Sequence, residues 1–283
     1  MKQNQRHLKY GRIKRTRPIN FKFNNKNFQG FEGDTLASAL LANGLKVVQK
    51  SFKYHRPRNI VGIWGEEPNA IVEIERENMT TPNLRATQVE IYEGLIARSH
   101  WGWPTEKFDL LSILGFFSPL FPAGFYYKTF MWPRFMWKRY EKVIRNMTGL
   151  GDAPSGPDID EYEKINIHCD VLIVGGGPTG LIAAKAAGQS GARVILVDEQ
   201  YEFGGSLLYE NRVISGLPGT KWVKSILDEF KRMPNMKLLI RSTVTGYYDH
   251  NFLVIHERCL DHLESRPDFS PRERLWRVRA KQV

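Results

Sequence analysis

Cysteine is scarce in this chain: Cys169 and Cys259 are the only two in 283 residues. Two isolated cysteines exclude a disulfide-stapled scaffold. With no signal peptide in view, they point to free thiols in a reducing cytoplasm. Acidic residues are outnumbered, 30 Asp and Glu against 41 Lys and Arg, for a net charge of +11. Much of that excess sits in residues 1–17, at Lys2, Arg6, Lys9, Arg12, Lys14, Arg15 and Arg17, read here as a basic arm. No RNA- or DNA-binding signature accompanies it, so a solvated tail or a dock for an acidic partner is expected rather than nucleic acid. An unbroken apolar run of membrane-spanning length is missing too. Leu110–Tyr127 has the length of a membrane span, but Pro119 and Pro122 break it, and Asp109 and Lys128 flank it closely. An aromatic-rich connector, buried or covered by another subunit, is expected there instead.

Nucleophilic machinery is also absent. The seven histidines are scattered, and no Ser/His/Asp or Cys/His spacing marks a catalytic residue. The run His256-x2-Cys259-x2-His262, placed on a helix, drifts around the axis and lacks a fourth ligand, so no metal is expected.

What is present is concentrated in "CDVLIVGGGPTGLIAAKAAGQSGARVILVDEQ". Val171–Val174 is a continuous apolar run, as in a buried parallel strand. Gly175, Gly177 and Gly180 follow as G-x-G-x-x-G: one glycine for the turn, one for close approach of a pyrophosphate, one for packing helix on strand. An Ala-rich helix over Leu181–Ser190 offers its N-terminus to phosphate. Gly191 ends it, and Arg193–Val197 form a second strand tipped by Asp198 and Glu199. Asp198 lies roughly 20 residues past the loop, where an acid takes ribose hydroxyls. Upstream, Ile19, Phe21 and Phe23 alternate with polar residues, Asn24-Asn25-Lys26 make a turn, and Phe28–Phe31 return as the partner strand. Asp34 reads as the N-cap of a helix carrying Leu36, Leu40 and Leu41 on one face and closed by Gly44. Hairpin, helix and further short strands give a small β-grasp order.

The stretches "GRIKRTRPINFKF", "GDTLASALLANG", "SFKYHRPR", "EEPNA", "PNLRAT", "FPAGFYYKTFMWP" and "LVDEQ" through "GGSLL" resemble the alpha subunits of heterotetrameric sarcosine oxidases, over nearly the whole chain. That resemblance implies an α/β architecture: a basic arm (1–17), a degenerate ferredoxin-like β-grasp domain (18–85), an aromatic-rich connector (86–165), and a partial Rossmann-type dinucleotide-binding domain (166–283), truncated at its C-terminus. In cluster-bearing relatives the loop after "YHRPR" supplies cysteines at positions matching Gly62, Glu67 and Ala70, so no iron–sulfur cluster is expected. The resemblance further implies NAD in this chain, with FAD as the alternative, and FAD and FMN in a partner subunit or at its interface. It implies beta, gamma and delta subunits as partners, and oxidative demethylation of sarcosine with transfer of the one-carbon unit to tetrahydrofolate. Carried over by position, Gly175, Gly177, Thr179 and Gly180 face the pyrophosphate. Asp198 takes the ribose, with Glu199 and Gln200 beside it. Gly204, Gly205 and Ser206 form a second glycine turn returning towards the phosphates, and Val244 passes the adenine. A related amine, opine or proline oxidoreductase subunit, or a stand-alone NAD(P)/FAD oxidoreductase, is the alternative.

Overall fold

The structure is a computed structural model. It describes all residues except 1, 2, 4, 8, 10, 52, 53, 77, 78, 100–108, 118, 120–123, 125–131, 155 and 266. The chain divides into two units, Met1–Asp158 and Ile159–Val283.

In the first unit, β1 (Lys14–Phe23) and β2 (Lys26–Glu32) form an antiparallel hairpin. Along β1 the side chains of Phe21 and Phe23 are buried while Asn20 and Lys22 face out, the period-two alternation of a half-buried strand. Helix α1 (Leu36–Ala42) follows, then a small ladder of β3 (Val47–Lys50) and β4 (Pro57–Asn59). β5 (Ile71–Arg76), β6 (Met79–Arg85) and β7 (Ile96–Arg98) complete a five-stranded sheet of order β2-β1-β7-β5-β6, in which only β1 and β7 are parallel. The sheet thus continues past residue 85. Phe21, Phe23, Leu36, Leu40, Val72, Leu95 and Ala97 share one core. Leu36 and Leu40 are fully buried, whereas Leu41, expected beside them, is exposed.

Two local expectations are corrected. Thr35, not Asp34, caps α1, in a reciprocal capping box with Ser38. Asp34 is instead a buried hub: it accepts hydrogen bonds from the Phe31 N–H (2.9 Å) and the Ser38 hydroxyl (2.7 Å), and Arg6 grips it at 3.0 and 2.7 Å. Part of the basic arm is therefore folded onto the domain. Of the aromatic connector, Leu110–Gly115 forms a 3-10 helix, and Phe116 and Phe117 are exposed. Most of the rest of that stretch to Tyr127 lies outside the described residues. Helix α2 (Trp137–Thr148) closes the connector. Among the described residues, no helix is long and apolar enough to cross a membrane.

The second unit opens with the 13-residue strand β8 (Tyr162–Val174). Helix α3 (Pro178–Gln189) leads to β9 (Val194–Val197), and after a pair of two-residue strands, β10 (Val213–Ile214) and β11 (Leu217–Pro218), helix α4 (Gly219–Phe230) leads to β12 (Met236–Leu239). The meander β13 (Ser242–Tyr248), β14 (Phe252–Arg258) and β15 (Glu273–Gln282) ends the chain, giving sheet order β12-β9-β8-β15-β14-β13. β12, β9, β8 and β15 run parallel to one another, and the two meander pairings are antiparallel. β9 is buried on both faces, as parallel strands are. Val194 and Leu196 meet Leu181, Trp222 and Ile226 of the helices. Ile195 and Val197 meet Leu253, Ile255 and Val278 of the meander. His256 sits in β14, not on a helix, because Leu253 and Ile255 alternate inward. No group of three or more His, Cys, Asp or Glu is placed to hold a metal among the described residues.

Candidate functional site

The glycine loop joins the tip of β8 to the start of α3. Gly175 has φ of +99°, a conformation that side chains disfavour, and its N–H donates to the Val197 carbonyl at 2.8 Å, so the turn is locked to β9. At Gly180 a methyl group would run into the Gly175 carbonyl, so helix and turn can pack only with hydrogen there. Gly177 differs. Its φ of −71° suits any residue, and the nearest atom to an added Cβ is the Gly205 Cα at 4.0 Å. Nothing inside the protein requires glycine at 177; a ligand drawn close to the backbone would. Gly177 is also the N-cap of α3, supplies no side-chain cap, and is followed by Pro178, which has no N–H. The first-turn donors, including the Thr179 and Gly180 amides, are left for an anion.

A second loop closes against the first. Gly204 donates its N–H to the Gly176 carbonyl at 2.8 Å, and an added Cβ at Gly205 would stand 2.8 Å from the Gly177 Cα. Gly205–Leu208 is a short 3-10 helix that carries Ser206. Phe203 is buried against Gly176, where a methyl would collide with its ring. Sequence reasoning missed Gly176 and Phe203; the middle glycine of the GGG run was the one visible signal.

Asp198 follows β9 directly. One carboxylate oxygen accepts the Gly176 N–H at 2.6 Å, the other the Gln200 N–H at 2.8 Å. Burial raises its pKa above the ordinary aspartate value, and the two backbone hydrogen bonds offset part of that. A carboxylate offers about four lone-pair positions, so about two remain for ribose hydroxyls. Glu199 accepts a hydrogen bond from the Gln200 side chain at 3.2 Å, and the buried Gln200 takes the Arg241 N–H on its carbonyl at 2.7 Å. The Ser242 N–H reaches the Asp198 carbonyl at 2.9 Å, so the start of β13 crosses the tip of β9. Val244 lies two residues on, half-buried against the core of the meander. The structure thus gathers Gly175–Gly180, Asp198–Gln200 and Gly204–Ser206 at one end of the parallel strands, with Val244 set back along β13.

In the first unit, the three positions aligned with cluster cysteines are packed together. Glu67 is fully buried; its carboxylate accepts the N–H groups of Val61 (2.7 Å), Gly62 and Asn69 (2.8 Å). Gly62 lies so close to the Glu67 backbone that a Cβ there would stand 2.9 Å from the Glu67 Cα. Ala70 is fully buried.

Against known proteins, this chain aligns with the curated sarcosine oxidase subunit alpha of Rhizobium meliloti (strain 1021). Identity is 50% over 271 residues, 95% of this chain and 28% of the relative. It is a homologue of sarcosine oxidase subunit alpha. The subunit alpha of Corynebacterium sp. (strain U-96) is 32% identical over 96% of the chain and 24% of its own length. The chain therefore spans about a quarter of the length of these relatives. Residues 16–101 match the family described as 2Fe-2S iron-sulfur cluster binding domain, and residues 170–245 match FAD dependent oxidoreductase. Among solved structures, L-proline dehydrogenase from P. horikoshii shares the fold, with a TM-score of 0.53 and 17% identity, covering 95% of this chain and 40% of that one.

These matches correct the cofactor expectation. NAD in this chain, FAD and FMN held by a partner, and a domain outside iron–sulfur chemistry are overturned by a 2Fe-2S cluster binding family and an FAD family within this chain. The physical reason on the nucleotide side is plain: glycine loop and terminal acid recognise the ADP half that NAD and FAD share. The residues present fit FAD, with uncapped amides at α3, a close-approach glycine and a ribose acid. The donor set in residues 16–101 does not fit a cluster in the usual way. Thiolates hold such clusters, and both cysteines lie outside this stretch.

Proposed function

We propose that this chain holds the ADP half of FAD for a multi-subunit enzyme that oxidises sarcosine. FAD, when bound, supplies the electron acceptor that amine oxidation requires. The chain's own residues bind and orient it. Thr179 and Gly180 present amides to the pyrophosphate, Gly177 admits it, Asp198 and Glu199 take the ribose, and Gly205 and Ser206 close the second side. Val244 flanks the adenine through its backbone. The thiols of Cys169 and Cys259 are pushed up to about 11, chiefly by burial, so neither is a ready nucleophile at neutral pH. Both are unpaired, which fits a cytoplasmic setting.

In this reading sarcosine, tetrahydrofolate and oxygen give glycine, methylene-tetrahydrofolate and hydrogen peroxide, with beta, gamma and delta subunits completing the assembly. The observation that carries the proposal is the closure of the Gly204–Ser206 loop on the Gly175–Gly180 loop beside Asp198. The test is oxygen uptake and peroxide formation by the assembled enzyme with sarcosine and with proline as substrates. Sarcosine-dependent peroxide supports the proposal. Turnover of proline with none of sarcosine would reassign the substrate.

A further inference from the structure

Helix α2 and the 3-10 turn before it, Arg134–Met136, carry a face that the dinucleotide site does not use. Tyr140, Ile144 and Thr148, at helical spacing, are half-buried. The C-terminal end is pinned: the Gln49 amide donates to the Thr148 carbonyl at 2.9 Å, and Glu141 pairs with Arg145 along the helix. The opposite face presents Phe135, Lys138, Arg139, Lys142 and Val143, all exposed. Phe135 is 85% exposed, and Trp132, just before it, 79%. Arg134, Lys138, Arg139 and Lys142 have no acidic partner among the described residues, so the face carries four uncompensated positive charges beside two bare aromatic rings.

Exposed aromatics next to unpaired cations mark a surface made to be covered. The charge states what covers it, because like charges would repel and only an acidic surface gains. A lipid surface fits less well. An interfacial helix lays a continuous apolar face into the headgroups, whereas Tyr140 and Ile144 of α2 are half-buried in the protein and its exposed face is mainly cationic. We propose that the face of Trp132, Phe135, Lys138, Arg139 and Lys142 docks an acidic surface of a companion protein subunit. This rests on the multi-subunit reading above but not on its substrate.

The test uses the full-length alpha chain and the purified beta subunit, with binding measured independently of turnover. The triple variant Lys138→Glu/Arg139→Glu/Lys142→Glu should associate about tenfold more slowly at low salt, and its rate should lose most of its salt dependence. Its FAD content and melting temperature should stay at the wild-type level, which separates lost docking from lost folding or lost cofactor. A milder triple variant to glutamine should shift the rate in the same direction by less. Carbodiimide should join Lys138 or Lys142 to carboxylates of the beta subunit. Unchanged association rate and salt dependence would overturn the proposal. So would assembly at the wild-type rate by a triple variant that has lost binding to phosphatidylserine vesicles or to a duplex oligonucleotide.

Discussion

Gly177 and Gly180 lie three positions apart and are glycine for unlike reasons. A methyl at 180 meets the Gly175 carbonyl, so Gly180→Ala should destabilise the second unit by about 1–3 kcal/mol, visible as a lowered urea midpoint. Wild-type stability in that variant would mean the helix does not pack on the turn as described. Asp198 gives a pH prediction. Its folded pKa is raised, so folding favours the protonated form. The stability it adds is complete below the ordinary aspartate value of about 3.9 and is lost as pH rises through the raised folded value. Asp198→Asn has no such titration. The stability of wild type minus that of the variant should therefore fall as pH climbs through the mildly acidic range just above 3.9, in paired urea titrations. A difference that grows with pH would contradict the assignment. At this scale the loop and Asp198 were legible because their spacing is local. Phe203 against Gly176 was not, because the two are brought together only by the returning loop.

Among the elements, the hairpin of β1 and β2 and the strand–loop–helix of β8 and α3 were readable from periodicity and turn residues. The cap of α1 was not. Asp34 and Thr35 are both good caps by local chemistry, and the choice between them is tertiary: Arg6, 28 residues upstream, claims the Asp34 carboxylate. Asp34 is 1% exposed and Arg6 15%, so removing the cation strands a buried carboxylate. Arg6→Ala should lower the stability of the first unit by about 1–3 kcal/mol, whereas Lys9→Ala, also in the basic arm, should change it little. Equal effects of the two substitutions on thermal unfolding would return the arm to a solvated tail. The His256-x2-Cys259-x2-His262 run failed as a helix for a related reason. Its upstream residues follow the two-residue alternation of β14, and spacing between histidines says nothing about backbone conformation.

Taken whole, the molecule is two units with separate cores, one matching a 2Fe-2S cluster binding family and one an FAD family. The two-part order was legible because composition and hydrophobic period change along the chain. The cofactor classes were not. A glycine loop reads only the shared ADP half, and cysteine positions carry ligation rather than the core of Phe21, Phe23 and Leu40 that defines the first fold. The central claim is that the Gly175–Gly180 loop, closed by Gly204–Ser206 and flanked by Asp198, holds FAD. The most direct measurement purifies the full-length protein, wild type and Gly177→Ala, releases the bound nucleotide by denaturation, and identifies and counts it by chromatography. The geometry predicts FAD at about one per site in the wild type. It predicts at least a tenfold loss of affinity in Gly177→Ala without loss of folding, because only the ligand needs glycine there. Another dinucleotide in place of FAD, or equal FAD in both proteins, would contradict it.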